Sequence, residues 1–491
     1  MTEHLARRMR DRDDGYALVV TMLLLAIMTV LMVVSLQAGE SALRRSQEGI
    51  RWTKALTLAE AGVHAAIANL GIDRTWQPTC PLGGTTPCAA EGGQYQVSWA
   101  SQPDGGVAIE ARGYYPTLAS PRYVRAVKVL LEPAPAFRYA LFSSDRLTIK
   151  NNAAIEGDIY SAKDVVVGNG QVICGSVVAA GGDITLGNNS RVVTSDPAIG
   201  CSGRSGLAWA NGSITMGIGA VVGGDAKASA PSQTVCSPGS TSYQISGGTV
   251  QGNATACGRI TSTVLGASQP GVNTTPPAVE PLPTFVFDTN NYPDLVCYPS
   301  TGTCGPANTS TSATSSVNGY VATHELNLTG TFAVWQTSPS QSTKVLLDGI
   351  RLGGDLTIIT NAPIDLGNTS QVTLAPGVAS ARLVLISLYV PPPNTTCDTS
   401  GGECSIYAKN SVTFDDGDPD DPDDGIAVLL YTPGKMAFKN TGGDASNGEG
   451  ALYAGGMDLK NGFNIAYNGR VQRVLGFGSS LVPVLWQEIN V

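Results

Sequence analysis

The residues with chemical reach in this chain are few, and they sit in informative places. Ten cysteines all lie beyond residue 79, in neighbouring pairs: Cys80 and Cys88, Cys174 and Cys201, Cys236 and Cys257, Cys297 and Cys304, Cys397 and Cys404. An even count with close partners reads as local disulfides made in an oxidising compartment, although sequence does not fix the connectivity. Zinc is the rival use of thiols. No C-x-x-C occurs, and His4, His64 and His324 are the only histidines, so the pattern disfavours it. The second feature is an aspartate run, Asp415 to Asp424, broken by Gly417, Pro419 and Pro422. Such charges repel one another unless a cation offsets them, and hard oxygen ligands at alternate positions suit Ca²⁺. Asp416, Asp418 and Asp420 form the opening of a calcium loop, but its usual glycine and closing glutamate are missing. A solvated acidic loop is the alternative. Asp158, Asp164, Asp183 and Asp225 fall at turns, where aspartate serves the backbone. No G-x-S-x-G, P-loop or HExxH is found, so the sequence predicts no enzyme and no other cofactor.

The elements that must position these groups begin with Tyr16 to Leu36, which carry no charge, glycine or proline. About 20 apolar residues cross a bilayer core, so this is a transmembrane segment, too long for a cleaved secretory signal. Arg7, Arg8, Arg10 and Arg12 before it are balanced by Arg44, Arg45, Arg51 and Lys54 after it, so basic residues do not orient it. The cysteines do: they put the bulk of the chain outside a single-pass inner membrane. Leu43 and Ile50 follow at heptad spacing, and Leu56, Ala59, Val63, Ile67 and Leu70 at three-to-four spacing, with charges between. Gly71 and Trp76-Gln77-Pro78 supply a stop. One helix of about 55 residues, roughly 80 Å, is expected, apolar first and amphipathic second.

A short polar leader ending in Gly15, then Tyr16-Ala17-Leu18-Val19-Val20 and a long apolar helix, resembles a type IV prepilin. Leu58-Ala59-Glu60-Ala61-Gly62 is similar to the N-terminal segment of PilX-type minor pilins. The resemblance covers about the first 70 residues. It implies that a prepilin peptidase cuts between Gly15 and Tyr16 and that the new N-terminus is methylated. It also implies partners among other pilins and the pilus assembly platform. Major pilins carry glutamate at the fifth mature position; here Val20 stands there, which suggests a minor, tip-like or priming subunit. The leader ends in Asp13-Asp14, where a basic residue is more usual.

Beyond the helix, Gln94 to Ala100, Val107 to Arg112 and Tyr123 to Glu132 read as strands, with Asp104-Gly105-Gly106 as a hairpin turn. From Arg138 a weak repeat of about 18 residues sets in. Leu147-x-Ile149 recurs as Val165-x-Val167 and Ile184-x-Leu186, then Ile214-x-Met216. A glycine follows eight residues later at Gly157, Gly175 and Gly224. Asn151, Asn169, Asn188, Asn368, Asn440 and Asn461 each stand two residues after an apolar strand end and are expected to take a left-handed turn. Short alternating strands at fixed period predict a parallel β-helix, in which each coil needs its neighbours to bury its apolar face. A β-sandwich is the alternative. The region resembles domains that accompany PilX-like N-termini and, more loosely, bactofilin β-helices.

The expected fold is therefore mainly β: a leader (1–15), a transmembrane and amphipathic helix (16–71), a small antiparallel sheet (72–135) and a β-helix (136–491). Gln269 to Phe285 and Pro299 to Asn318 read as side excursions, with the repeat resuming at Leu346 and Ser480 to Val491 capping its open end. Charged residues make up only 14 % and the net charge is −9, so nucleic acid is not a partner. Three functions fit: a minor pilin-like subunit presenting the β-helix for adhesion, a static membrane tether binding surface glycans or proteins, and a polysaccharide-active enzyme.

Overall fold

A computed structural model describes residues 3–489 apart from 73–75, 91, 102–106, 134–135, 197–200, 202, 232–233, 293, 302, 369, 393–394, 398–402, 410–411, 415–424, 439–447, 461, 472–473, 475–476 and 478–480. The chain forms two units, Met1–Ala134 with Ser480–Val491, and Pro135–Ser479.

In the first unit, helix α1 runs without a break over Glu3–Ile72. Its large apolar side chains from Val19 to Leu36 are exposed, and so are Leu43 and Ile50. Further on, Ala55, Leu58, Ala59, Val63, Ala66 and Leu70 are buried, three or four residues apart along one face. That face packs on Val97, Val107, Ile109, Ala111, Val127, Val129 and Leu131. These come from an antiparallel meander of Gly93–Ser101, Val107–Tyr115 and Tyr123–Pro133. Inward and outward residues alternate, as the strand period requires. The approach is closest at Gly113, where a Cβ would stand 2.6 Å from the Ala59 nitrogen and nearer still to the Ala55 carbonyl oxygen. The hairpin turn expected at 104–106 lies outside the described residues. The sheet gains an edge from Cys88–Ala90 and, on its other side, from Leu481–Ile489. The C-terminal stretch does not cap the β-helix, as its position in the sequence suggests. It pairs instead with Tyr123–Pro133, whose row of backbone donors and acceptors would otherwise be left open.

The second unit is a solenoid of parallel strands with three faces. Leu141, Ile159, Val177, Ala208, Ala226 and Ala254 stand in register along one face. Leu147, Val165, Ile184, Ile214 and Ile245 line the second. Ile155, Ile173, Val192, Val222 and Val250 line the third, followed by the half-buried Val264. All but Val264 are buried in one core, and Val264 packs against it. Recurrence of the same inward position coil after coil is what the 18-residue spacing records.

The corners work differently from expectation. The left-handed residue is the next one along, at Asn152 (φ 59°), Gly170 (φ 70°), Asn189 (φ 57°) and Gly219 (φ 74°). Asn151, Asn169 and Asn188 instead use their side-chain oxygens. Asn151 Oδ1 accepts from the Asn169 N–H (3.0 Å), Asn169 Oδ1 from Asn188 N–H (2.8 Å) and Asn188 Oδ1 from Ile218 N–H (2.9 Å). The expected turn positions Asn440 and Asn461 lie outside the described residues. Asp158, Asp164, Asp183 and Asp225 form matching ladders, each accepting from a backbone N–H one coil on.

Spatial order departs from chain order. Leu452, Met457 and Asn464, from late in the chain, pair with Leu141, Leu147 and Ala154 on the side of the first coil that faces away from Ile159. The chain thus enters at mid-solenoid and winds to one tip near Pro270. It then crosses back along the outside, restarts at the other tip with Leu295–Tyr298, and winds inward through Leu328–Val334, Arg351–Thr360, Ser380–Ser387, Gly425–Phe438 and Glu449–Leu459. The repeat resumes at Leu295, not Leu346. Residues 269–285 are the return strap rather than a side loop. Within 299–318 begins helix α2 (Ala313–His324), whose buried Ala313, Val317 and Val321 close the second tip.

Candidate functional site

The stem needs only composition. A wholly apolar helix satisfies its backbone internally, so it can lie in hydrocarbon where other structures cannot. Residues 16–36 span about 31 Å at 1.5 Å per residue, close to a bilayer core. It is the one helix among the described residues long and apolar enough to cross a membrane. Gly15 and Tyr16, the expected processing point, lie within the helical backbone of α1.

The strap covers one face of the solenoid. On the face that holds Leu141, the outward positions are also apolar: Ile359, Ile386, Tyr431, Tyr453, Phe142 and Tyr160 stand in one file. Phe142 stacks on Tyr453 at 5.0 Å and on Tyr160 at 4.8 Å. The strap seals this file. Thr274 meets the Ser229 hydroxyl (2.5 Å), Tyr160 donates to the Ala278 carbonyl (3.1 Å), and Tyr431 donates to the Pro283 carbonyl (2.6 Å). Phe285 packs on Phe477 and Phe287 sits edge-on to Trp335 at 5.0 Å. Glu280 is the electrostatic anchor: it pairs with Arg138 and accepts from the Tyr139 hydroxyl (2.7 Å). Burial first, then the hydrogen bond and charge of Glu280, raise the Tyr139 phenol, while Arg138 works against them. Burial pushes the Tyr431 phenol up to about 12. From sequence the strap reads as an excursion; the signal that marks it is Pro277, Leu282, Phe285 and Phe287 set among polar residues.

The disulfides brace departures from the coil. Cys174–Cys201 and Cys236–Cys257 tie loops back to strands of the first half, Cys297–Cys304 and Cys397–Cys404 close short loops of the second, and Cys80–Cys88 closes one in the first unit. No described cysteine is free.

Asp365 is a buried carboxylate with a cationic partner. Asp365 accepts from Lys344 Nζ (2.6 Å), which also donates to the Tyr407 hydroxyl (2.8 Å). Burial alone would lower the Lys344 ammonium, but hydrogen bonds from these two groups and the Asp365 charge raise it overall. Such a lysine stays charged and is a poor nucleophile. His324 stacks on Tyr320 at the exposed end of α2. Among the described residues no three His, Cys, Asp or Glu side chains converge as metal ligands. Asp416, Asp418 and Asp420 lie outside the described residues.

The class defined by these features is a mainly β protein. It combines one long N-terminal apolar helix and a small antiparallel sheet with a large parallel solenoid inserted between two strands of that sheet. No family model matches the sequence. The comparison with curated proteins gives no match. Among solved structures, the chain is similar to the crystal structure of the competence-associated pilin ComZ from Thermus thermophilus. That alignment has 13 % identity, covers 89 % of this chain and 97 % of that one, and has a TM-score of 0.28.

Proposed function

We propose that this chain is a minor pilin-like structural subunit of a type IV pilus-type surface filament or of its assembly machinery, and that it presents the solenoid for adhesion. The carrying observation is the division of α1: the stretch from Val19 to Leu36 is bare and apolar, and the stretch from Ala55 to Leu70 is packed on a small antiparallel sheet. A helix of that kind holds a membrane or a bundle of like helices at one end and a folded domain at the other. The five disulfides favour an extracytoplasmic body. In this reading prepilin peptidase cuts after Gly15, Tyr16 becomes the methylated N-terminus, and the partners are other pilins, the assembly platform, and surface glycans or proteins. The solenoid binds rather than catalyses, and Asp416, Asp418 and Asp420 take Ca²⁺.

Unbroken helix across Gly15 and Tyr16 favours a second reading, a static tether with its leader intact. Mass analysis of the N-terminus of membrane-extracted protein decides between them. The subunit reading requires a chain beginning at methylated Tyr16. Intact Met1 would discard it in favour of the tether. Calorimetry of the full chain with Ca²⁺ tests the metal: no heat, and no chelator-sensitive melting, would remove it.

A further inference from the structure

The two tips of the solenoid are finished differently. At one, α2 lays Ala313, Val317 and Val321 across the core. At the other, nothing among the described residues pairs beyond Thr263–Val264 and Ser268–Pro270, and every residue from Leu265 to Pro270 is exposed. Thr263 and Leu265 donate back to Gly248 and Val250. By strand alternation the N–H and C=O of Val264 therefore point outward, and those of Ser268 do likewise beside Gln269. Ile260 and Val264, the last apolar layer of the core, are only partly covered. Leu265 is 68 % exposed and Val272 45 %.

Proteins blunt such edges with charge. Here the stretch from Ala254 to Val279 holds a single charged residue, Arg259, and its guanidinium donates back to Gln244 Oε1 (2.8 Å). Pro270 and the shortness of the strands are the only protection.

We propose that this open tip is a contact between two copies of the chain, joined end to end by a two-fold axis. Three observations select a second copy. The exposed end is a three-sided coil with an apolar centre. An extended peptide would pair with one edge of two or three residues and leave Ile260 and Val264 bare, whereas another coil of the same section covers all three edges. The tip is nearly uncharged, so like meets like without repulsion. The far tip is closed by α2, so a copy cannot add head to tail. The pairing is isologous and stops at two. The last coil spans about 14 residues, from Val250 to Val264 and from Ala254 to Ser268; its side is about 15 Å, so each partner buries on the order of 200 Å², well under the roughly 800 Å² of a stable interface. The contact is therefore weak in dilute solution and forms where copies are concentrated in one membrane.

The test is thiol cross-linking of the full chain in membranes with a short bis-maleimide, since the described cysteines are all paired. Ser268→Cys should yield a product of twice the mass. Thr185→Cys, exposed on a flat face away from the tip, should not. Adding Leu265→Lys with Gln269→Lys, both exposed positions, should cut the Ser268→Cys product about tenfold by setting like charges face to face. Retained protease resistance of each variant shows that it folds. The proposal is overturned by no product from Ser268→Cys, by equal product from Thr185→Cys, by indifference to the two lysines, or by a product containing a different polypeptide.

Discussion

The strap offers the sharpest test of the permuted coil order. From the rung that ends at Ser229 to the rung that ends at Trp335 there are nine strand spacings. At about 4.8 Å each this is about 43 Å. Thr274, which contacts Ser229, and Phe287, which contacts Trp335, are 13 residues apart. Fully extended at about 3.3 Å per residue, those residues also reach about 43 Å. The strap is taut. Deleting Ala278 and Val279, both exposed, removes about 7 Å of reach, more than one rung. Either the Phe285 and Phe287 anchors let go or the seam between Leu452 and Leu141 opens. Loss of the anchors alone costs about 3–5 kcal/mol. Inserting Gly-Ser after Val279 only lengthens a surface connection and costs under about 1 kcal/mol. The assay is thermal melting of the detergent-solubilised chain by circular dichroism, with limited proteolysis of residues 270–300. A deletion that melts like the parent, or an insertion equally harmful, would refute the arrangement.

Three further expectations follow from the same packing. Gly113→Ala drives a methyl into the α1 backbone; we expect about 2–3 kcal/mol lost, with α1 between residues 55 and 70 showing faster hydrogen exchange. Replacing Cys174 and Cys201 by alanine opens a closure of 27 residues and should lower stability by about 3–4 kcal/mol, read from denaturant midpoints. The Tyr431 phenol is neutral in the fold and raised to about 12, so its share of stability is complete below pH 10 and disappears between pH 10 and about 12. The slope is about 1.4 kcal/mol per pH unit, and Tyr431→Phe should remove that part of the alkaline decline in melting temperature.

Much of this architecture is legible in the sequence because it rests on patterns short in sequence. The apolar stem needs only a run of residues, and the coils from Leu147 to Met216 repeat an inward-facing type at fixed spacing. The order of coils in space is hidden for a physical reason. Parallel rungs join through backbone hydrogen bonds and generic apolar contacts, so Leu141 accepts Leu452 on one side as readily as Ile159 on the other. Nothing in either side chain names its partner. The strand Leu481–Ile489 pairs with residues some 350 positions earlier, beyond any local signal. Helix α2 does leave a trace, since Ala313, Val317 and Val321 recur every four residues, but the surrounding Ser and Thr mask it. The corner asparagines Asn151, Asn169 and Asn188 stand at the expected corners, yet each holds its turn with the side chain and leaves the left-handed backbone to its neighbour.

Entry at mid-length has a consequence for how such a body can change in size. Phe137, near its start, and Phe477, near its end, touch with ring centroids 4.6 Å apart. Lengthening or shortening the spiral at either extremity leaves that doorway untouched. Gene duplication of single turns could thus lengthen the spiral at either end over evolutionary time, provided that the outer connection from 270 to 295 gains about one or two residues for each added turn.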